Sequence, residues 1–487
     1  MFLLNCGGGG NSSFKVVETQ QDIIELGVAF GEGYKDEVFM PYIRELGAKL
    51  SEIKLSWEDL EPDPPAGGMH TYHFDVLDKF INQLNGSDVV LIAIFTTASW
   101  ATDNAPEQGG PLKKDGDCLN YGMTCSHAYK DLISNIVKRS SGKVLYWQRD
   151  TEPAGSPKQF PVNRQTDYVA MQKYFYETVK QEMPTAVVVG GGHNGYFTSV
   201  GVPAAEDFFK YFIKEAKDFF DIMDVRFYNN KYSIPDKVKW FRKEMQNNGY
   251  NKPVVSTENG GPTPSEFPAE YNSFKKWCTD NNYIDLEYQD VALDCEKAMK
   301  NVGSLPVQIE MFFQKDDSIL EPKVERIHCR DITQRTLIML DSGVYKQWKW
   351  ELRAEPNQFF GYGTPLFGKL RLMNFDTGYK RPSYFCYQRM AAKMADVRSV
   401  QRLDTGKVDI FLYEITNNKA EKMYAVWEKR DLYSGEDMEK TSFQFNSNYV
   451  SAQTTDAVSG KIEQISAVNG TLTLNISDTP IFIESVK

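Results

Sequence analysis

The chain has 487 residues, with 55 Lys and Arg against 66 Asp and Glu, and a formal net charge of −11. This length exceeds what one hydrophobic core usually serves, which predicts one large domain and at least one smaller one. The basic residues are scattered rather than gathered into a stripe that could neutralise phosphates, which argues against nucleic acid as a partner. No apolar run approaches the length of a membrane span, and the longest, Val89 to Phe95, has the length of a buried strand.

The first 20 residues consist of a short apolar stub, Cys6 and a flexible tether rich in Gly and Ser. The stub resembles the end of a bacterial lipoprotein signal, in which Cys6 would be the lipidated residue. It is too short for a complete signal, so a mis-called start followed by a linker stays open as an equal alternative. Under the first interpretation we expect an exported protein: a periplasmic or outer-surface lipoprotein, or a secreted one.

Seven cysteines are present, and none of their spacings matches a zinc site. We therefore expect no metal site. Cys118 and Cys125 lie in a polar, Gly-rich segment where a disulfide could close a small loop, as an exported protein would allow. The pairing of the remaining cysteines stays open.

Between residues 21 and 397, short β-rich runs alternate with amphipathic helical stretches, which indicates a parallel sheet covered by helices. Eight such units predict a (β/α)₈ TIM barrel. A doubly wound sheet is the alternative, but no GxGxxG follows the first strand and the sequence contains no P-loop. The predicted strands are Ile24–Phe30, Glu52–Trp57, Val89–Phe95, Val144–Trp147, Ala186–Gly190, Ile222–Tyr228, Pro253–Thr257 and Val307–Phe313.

Residues 398–487 change to nearly pure alternation of apolar and polar residues, with Asn, Asp, Gly and Ser at the turns. This pattern predicts a small antiparallel β-sandwich domain that packs on the barrel and supplies no catalytic group.

Two glutamates follow predicted barrel strands at the end where TIM-barrel enzymes place their catalytic groups. Glu152 comes after the fourth strand, before a Pro, and Glu258 ends the seventh, before Asn259 and Gly260. Glycoside hydrolysis needs such a pair, one neutral acid to protonate the leaving oxygen and one carboxylate to attack the anomeric carbon. Either glutamate taken alone is more simply a surface loop residue, but the pair is hard to dismiss.

The Trp-x-x-x-x-Glu-Pro ending of strand four and the Thr-Glu-Asn-Gly ending of strand seven resemble the signatures of clan A glycoside hydrolases. Within that clan the chain looks most like family 39, the β-xylosidase and α-iduronidase group. The resemblance implies that Glu152 is the acid/base, that Glu258 is the nucleophile and that Tyr228 donates a hydrogen bond to Glu258. It also implies retaining hydrolysis of β-glycosidic bonds in an oligo- or polysaccharide, without a cofactor.

The chain departs from the clan pattern at two positions. Thr151 stands where the clan has Asn before the acid/base, and a hydroxyl cannot donate and accept through separate atoms as an amide can. Arg226 stands where related proteins have His, and its guanidinium would suit an anionic sugar. An ion pair of Arg226 with Glu258 or a neighbouring Asp is the equal alternative. These departures keep a second function open, a carbohydrate-binding protein with a degenerate glycosidase site.

Aromatic and polar residues near the predicted strand ends are further candidates for contacting the sugar. Trp350, in the stretch after the predicted eighth strand, either forms a wall of the site or packs a loop. The expected substrate-binding residues are Trp57, Trp100, Thr151, His193, Asn194, Tyr196, Arg226, Asn259 and Phe312.

Overall fold

A computed structural model describes residues 24–30, 39–103, 109–153, 164–193, 203–228, 230–280, 305–313, 318–353, 368–374 and 377–486. In these ranges eight parallel strands close into a barrel in chain order, each hydrogen-bonded to the next and the last to the first. This confirms the predicted TIM barrel. The strands are β1 (Glu25–Ala29), β2 (Leu50–Ser56), β3 (Val89–Phe95), β4 (Tyr146–Arg149), β5 (Val187–His193), β6 (Ile222–Val225), β7 (Val254–Asn259) and β8 (Lys346–Lys349).

Helices lie between the strands and cover the outside of the barrel. Their apolar faces pack against the outward-facing side chains of the strands in one continuous core. No helix in the described ranges is both long and apolar enough to cross a membrane. The helices are α1 (Met40–Glu45), α2 (Trp57–Leu60), α3 (Asp75–Gln83), α4 (Cys125–Arg139), α5 (Gln165–Glu182), α6 (Pro203–Glu215), α7 (Ile234–Asn247), α8 (Pro268–Asp280), α9 (Val307–Phe313), α10 (Leu320–Asp341) and α11 (Pro382–Met394).

The prediction of the eighth strand was wrong. Residues 307–313 form the helix α9, whose Ile309, Met311 and Phe312 are buried in a separate apolar cluster with residues of α8 and α10. The eighth strand is Lys346–Lys349, which consists mainly of polar residues. These can be buried because the neighbouring α10 supplies polar partners; Gln347, for example, donates to the Thr336 carbonyl at 3.3 Å.

The region after α11 is antiparallel, as predicted. A six-stranded sheet has the order β14-β13-β16-β11-β10-β9, and β12 pairs with β15 in a second sheet. Apolar side chains of the two sheets meet in a shared cluster, which makes the region a sandwich. The strands are β9 (Val397–Leu403), β10 (Ile410–Asn417), β11 (Lys422–Glu428), β12 (Thr441–Asn446), β13 (Ser451–Asp456), β14 (Ile462–Ser466), β15 (Thr471–Ile476) and β16 (Ile481–Ser485).

The sandwich packs on the barrel through the other face of its larger sheet. Trp427 is fully buried between the rings of Phe411 and Tyr413, and its Nε1 donates to the Tyr232 hydroxyl of the barrel at 3.2 Å. Charged side chains reinforce the contact, since Arg326 of α10 pairs with Glu436 at 2.9 Å.

Within the described part of the barrel there are two disulfides. Cys118 and Cys125, which the sequence allowed to pair, form a bridge that joins a short 3₁₀ helix to the start of α4. A second bridge joins Cys329 of α10 to Cys386 of α11. Long-range links of this kind stabilise a fold by restricting the unfolded chain.

Candidate active site

Glu152 lies in a tight turn after β4 whose backbone is held by buried polar contacts. Its φ of 55° and that of Asp150, 25°, fall in the left-handed region, which costs free energy unless the surroundings fix it. Asp150 is anchored because Thr96 donates to it from both its backbone N–H and its hydroxyl, each at 2.7 Å. Gly192 packs closely against the turn, and a Cβ there would lie 3.1 Å from the Glu152 nitrogen. This packing directs the glutamate at the mouth of the barrel.

Glu258 is the second-last residue of β7 and is almost completely buried. Among the described residues, three side chains contact its carboxylate. The Tyr228 hydroxyl donates to Oε2 at 2.6 Å, Arg226 Nη1 lies 2.7 Å from the same oxygen, and Lys54 Nζ lies 2.7 Å from Oε1. The contact expected between Tyr228 and Glu258 is therefore present.

Arg226 brings the two glutamates together. Its Nη1 atom lies 3.1 Å from Glu152 Oε1 and 2.7 Å from Glu258 Oε2. Because both oxygens contact one nitrogen, they cannot be farther apart than the sum of these two distances. The ion pair that was the alternative role for Arg226 is thus present, and it includes both glutamates.

The surroundings move the pKa values of the two glutamates in opposite directions. Burial and the negative charge of Glu258 raise the pKa of Glu152, against the opposing effect of Arg226. Burial on its own would also raise the pKa of Glu258, but Arg226 and Lys54 together outweigh it and lower that pKa below its ordinary value. Glu258 is therefore held as an anion while Glu152 is favoured in its neutral form.

The alternation of β6 continues for three residues beyond its end, and this explains why Arg226 faces the barrel interior. Asp224, Arg226 and Tyr228 are two residues apart and share the inner face, while Val225 and Phe227 pack outward against the helices. Asp224 is fully buried and accepts hydrogen bonds from the Thr257 backbone and hydroxyl. Its carboxylate lies 3.7 Å from Arg226 Nε and helps to orient the guanidinium.

Two site residues on β2, Glu52 and Lys54, were not predicted from the sequence. Both point into the barrel, where the Lys54 ammonium also lies 4.3 Å from the centre of the Trp350 ring. Glu52 is 1% exposed, and neither of its carboxyl oxygens has a hydrogen-bond partner among the described residues. Burial and the nearby Glu258 raise its pKa well above the ordinary value. The signal for both was a pair of charged residues two positions apart on one mostly buried strand.

Three of the predicted sugar platforms do not lie in the site. Trp57 begins α2, is 0% exposed and donates from Nε1 to Glu61 at 3.0 Å. Trp100 packs edge-on against Trp57 in the same core, with 7% of its surface exposed. Phe312 lies on α9 rather than at a strand end and is buried among apolar side chains. Buried rings of this kind cannot stack on a sugar, so these assignments were wrong.

The other predicted substrate-binding residues lie in the turn after β4, at the ends of β5 and β7, or outside the described residues. Thr151 is buried in the turn between Asp150 and Glu152. Asn259 is buried and donates from its amide to the Trp348 carbonyl at 2.8 Å, which ties β7 to β8. His193 is the last residue of β5, and Asn194 and Tyr196 lie outside the described residues. In the described ranges no group of three or more His, Cys, Asp or Glu is arranged to hold a metal ion.

No protein-family model matches the sequence, and no curated protein is similar to it. Solved structures are similar in fold over nearly the full length of both chains. A monomeric β-xylosidase from Caulobacter crescentus has a TM-score of 0.57 and 11% identity, covering 95% of this chain and 96% of its own. A glucosidase from Croceicoccus marinus has a TM-score of 0.54 and 12% identity, covering 96% of each chain.

A GH39 enzyme from Xanthomonas axonopodis pv. citri has a TM-score of 0.54 and 13% identity, covering 95% of this chain and 94% of its own. Family 39 is the group within clan A that the chain was expected to resemble most. The chain therefore shares its barrel and sandwich architecture with solved glycoside hydrolases.

Proposed function

We propose that the protein is a retaining glycoside hydrolase that cleaves β-glycosidic bonds, with Glu152 as acid/base and Glu258 as nucleophile. The observation on which this depends is the contact of both carboxyl groups with one nitrogen of Arg226. The resulting upper limit on the distance between Glu152 Oε1 and Glu258 Oε2 lies near the ~5–5.5 Å that separates the carboxyl groups of retaining enzymes and below the ~6.5–9.5 Å of inverting ones. An inverting enzyme needs the larger gap because a water molecule must fit beside the sugar.

The reaction proceeds in two displacements. A Glu258 oxygen attacks the anomeric carbon while the bond to the leaving oxygen breaks, and Glu152 gives that oxygen its proton. Glu152, now an anion, then takes a proton from water, and the water oxygen attacks the anomeric carbon. The bond to Glu258 breaks and its electron pair returns to the carboxylate. Each step uses only the two glutamates, and no cofactor is part of it.

The electrostatics of the site support this division of roles. A nucleophile must be ionised, and Glu258 has a lowered pKa because Arg226 and Lys54 contact it. A general acid must keep its proton, and burial raises the pKa of Glu152. The Glu152 side chain is 22% exposed against 5% for Glu258, so the acid is the group that a leaving group and water can reach from the mouth.

The proposed β-linkage and saccharide substrate are supported by the names of similar solved structures. Two of the solved structures with a similar fold are a β-xylosidase and a glucosidase. A screen of aryl β-xyloside, β-glucoside, β-galactoside and β-mannoside, with the matching α-anomers as controls, tests this part of the proposal. We expect release of the aryl group from one or more β-anomers, and NMR of the first product formed should show the β configuration.

An α-configured first product from a β-substrate would contradict retention. Binding of a saccharide without turnover of any aryl glycoside would favour the second function, a carbohydrate-binding protein with a degenerate site.

The pH dependence of kcat/KM is expected to be bell-shaped and wide. The rate should rise as Glu258 loses its proton, below the ordinary Glu pKa of about 4.3, because its cationic partners stabilise the anion. It should fall as Glu152 loses its proton, above about 4.3, because burial disfavours the anion. Initial rates on an aryl glycoside across the pH range measure both limbs. A single limb, or both limbs on the same side of about 4.3, would contradict the assignment.

A further inference from the structure

Arg226 contacts both glutamates through a single atom, so a change of charge on one glutamate affects its contact with the other. The Nη1 atom has two N–H bonds, one available to Glu152 at 3.1 Å and one to Glu258 at 2.7 Å. The shorter distance is to the group that is ionised in the free enzyme. In that state the guanidinium is therefore held mainly by Glu258, and Glu152 is its weaker partner.

Glycosylation reverses this balance. When Glu258 becomes an ester it loses its negative charge, and at the same moment Glu152 has given up its proton and become an anion. Within the described ranges Arg226 is the cation that the structure places within ion-pair distance of Glu152. Glu152 is then the anion in contact with Nη1. The guanidinium is therefore released from Glu258 and attracted to Glu152.

We propose that Arg226 is a positioning residue that couples the two glutamates, by moving from Glu258 to Glu152 when the glycosyl-enzyme forms. This rests on the retaining mechanism proposed above. The move strengthens the ion pair with Glu152 in the step in which Glu152 must be an anion that accepts a proton from water. It also restores the starting arrangement when Glu258 is released.

The other charged groups around the site do not duplicate this role. Lys54 contacts Glu258, but it lowers the pKa of Glu152 less than Arg226 does. Tyr228 donates to Glu258, and burial keeps its pKa well above the ordinary value. Glu52 and Asp224 face the same interior, and burial raises the pKa of each. Lys54 therefore offers a matched comparison, a cation that contacts the nucleophile and affects the pKa of the acid/base less than Arg226 does.

The test compares the pKa of Glu152 in the two states of the enzyme. The basic limb of kcat/KM reports it in the free enzyme, where it is the acid. The acidic limb of kcat on an activated aryl glycoside, where hydrolysis of the glycosyl-enzyme limits the rate, reports it as the base. Glu152 has a lower pKa in the second state, since Glu258 has lost its charge. The difference between the two values is the quantity of interest.

In Arg226→Gln we expect this difference to shrink by about one pH unit, since an opposite charge at close range shifts a carboxyl pKa by about 1–3. Lys54→Gln should raise the pKa of Glu258, which the acidic limb of kcat/KM reports. It should leave the difference between the two Glu152 pKa values within about 0.3 of the wild-type value, which is small against the shift of about 1–3 that a close charge produces. Arg226→Lys should give an intermediate difference, because its ammonium is a single point charge on a shorter stem.

If Arg226 stays fixed and only holds the structure, its removal should shift the pKa of Glu152 equally in the free enzyme and in the glycosyl-enzyme. An unchanged difference in Arg226→Gln would therefore overturn the inference while leaving the retaining mechanism intact. If Arg226→Gln does not fold, Arg226→Lys decides in the same way, since a wild-type difference there would contradict the proposal. Absence of wild-type turnover on every glycoside would overturn the proposed function itself, and this inference with it.

Discussion

Replacing Glu258 by Gln is expected to lower kcat by at least about 10⁴-fold on every substrate. The amide has nearly the same shape as the carboxylate but cannot attack the anomeric carbon, so the first displacement is lost. In the wild type the carboxylate accepts a hydrogen bond from Tyr228 and pairs with Lys54 and Arg226. The amide keeps the shape but removes the negative charge from these contacts. Initial rates on activated aryl glycosides measure the loss.

Stability must be measured alongside activity, because the substitution removes an anion that contacts two buried cations. Breaking a buried ion pair typically costs about 3–5 kcal/mol. Glu436→Gln is a matched control, since Glu436 also pairs with several cations, at the contact between the barrel and the sandwich. It should lose stability while kcat stays within about threefold of wild type, as expected for a site that contributes only structure. A wild-type rate in Glu258→Gln would remove Glu258 from the mechanism.

The first seven strands of the barrel could be predicted because each combines an apolar run with a neighbouring helix and a turn. Their observed bounds differ from the predicted ones by a few residues at the ends. The eighth strand was missed for a physical reason. Val307–Phe313 alternates apolar and polar residues as a half-buried strand does, yet Pro306 starts a helix there, with its carbonyl accepting from Ile309 at 2.8 Å.

The true eighth strand was hidden because it breaks the rule that strands of parallel sheets are apolar. Lys346 and Lys349 are buried, and each has a polar partner elsewhere in the chain. Lys346 pairs with Glu25 of β1 at 2.8 Å, and Lys349 donates to the Leu370 carbonyl at 3.2 Å. Such compensation depends on residues far away in sequence, so no local pattern reveals it.

The two glutamates could be placed from the sequence because the position of a catalytic residue in a TIM barrel depends on the strand that it follows. The alternation of β-rich and helical segments indicates the order of the strands. The aromatic platforms could not, because their exposure depends on the conformation of the chain beyond the strand end. Trp57 ends the predicted strand but begins α2, with Ser56 accepting from the Asp59 N–H as the cap. The helix turns the indole into the core. Lys54 and Glu52 were missed because only the closed barrel shows that their side of β2 faces Glu258.

Glu152→Ala tests the other half of the pair, against the alternative that Glu152 is an ordinary loop residue. On substrates with poor leaving groups we expect kcat/KM to fall by about 10²–10⁴-fold, because the departing oxygen is no longer protonated. On activated aryl glycosides, which leave without a proton, the loss in kcat/KM should stay within about tenfold. The contrast between the two substrate classes is the measurement.

The second displacement still lacks its base in this variant, so the glycosyl-enzyme should accumulate on activated substrates and be detectable by mass spectrometry. A small anion such as azide can enter the space that the side chain vacates, beside Arg226, which has lost the Glu152 contact at 3.1 Å. Azide should restore the rate and yield a β-glycosyl azide, because it attacks the glycosyl-enzyme from the face that water uses. Glu258→Ala, in which attack must come from the opposite face, should give an α-azide if it reacts. Equal losses on both substrate classes, with no azide product from either variant, would contradict the paired assignment, since neither carboxylate would then be acting at the anomeric carbon.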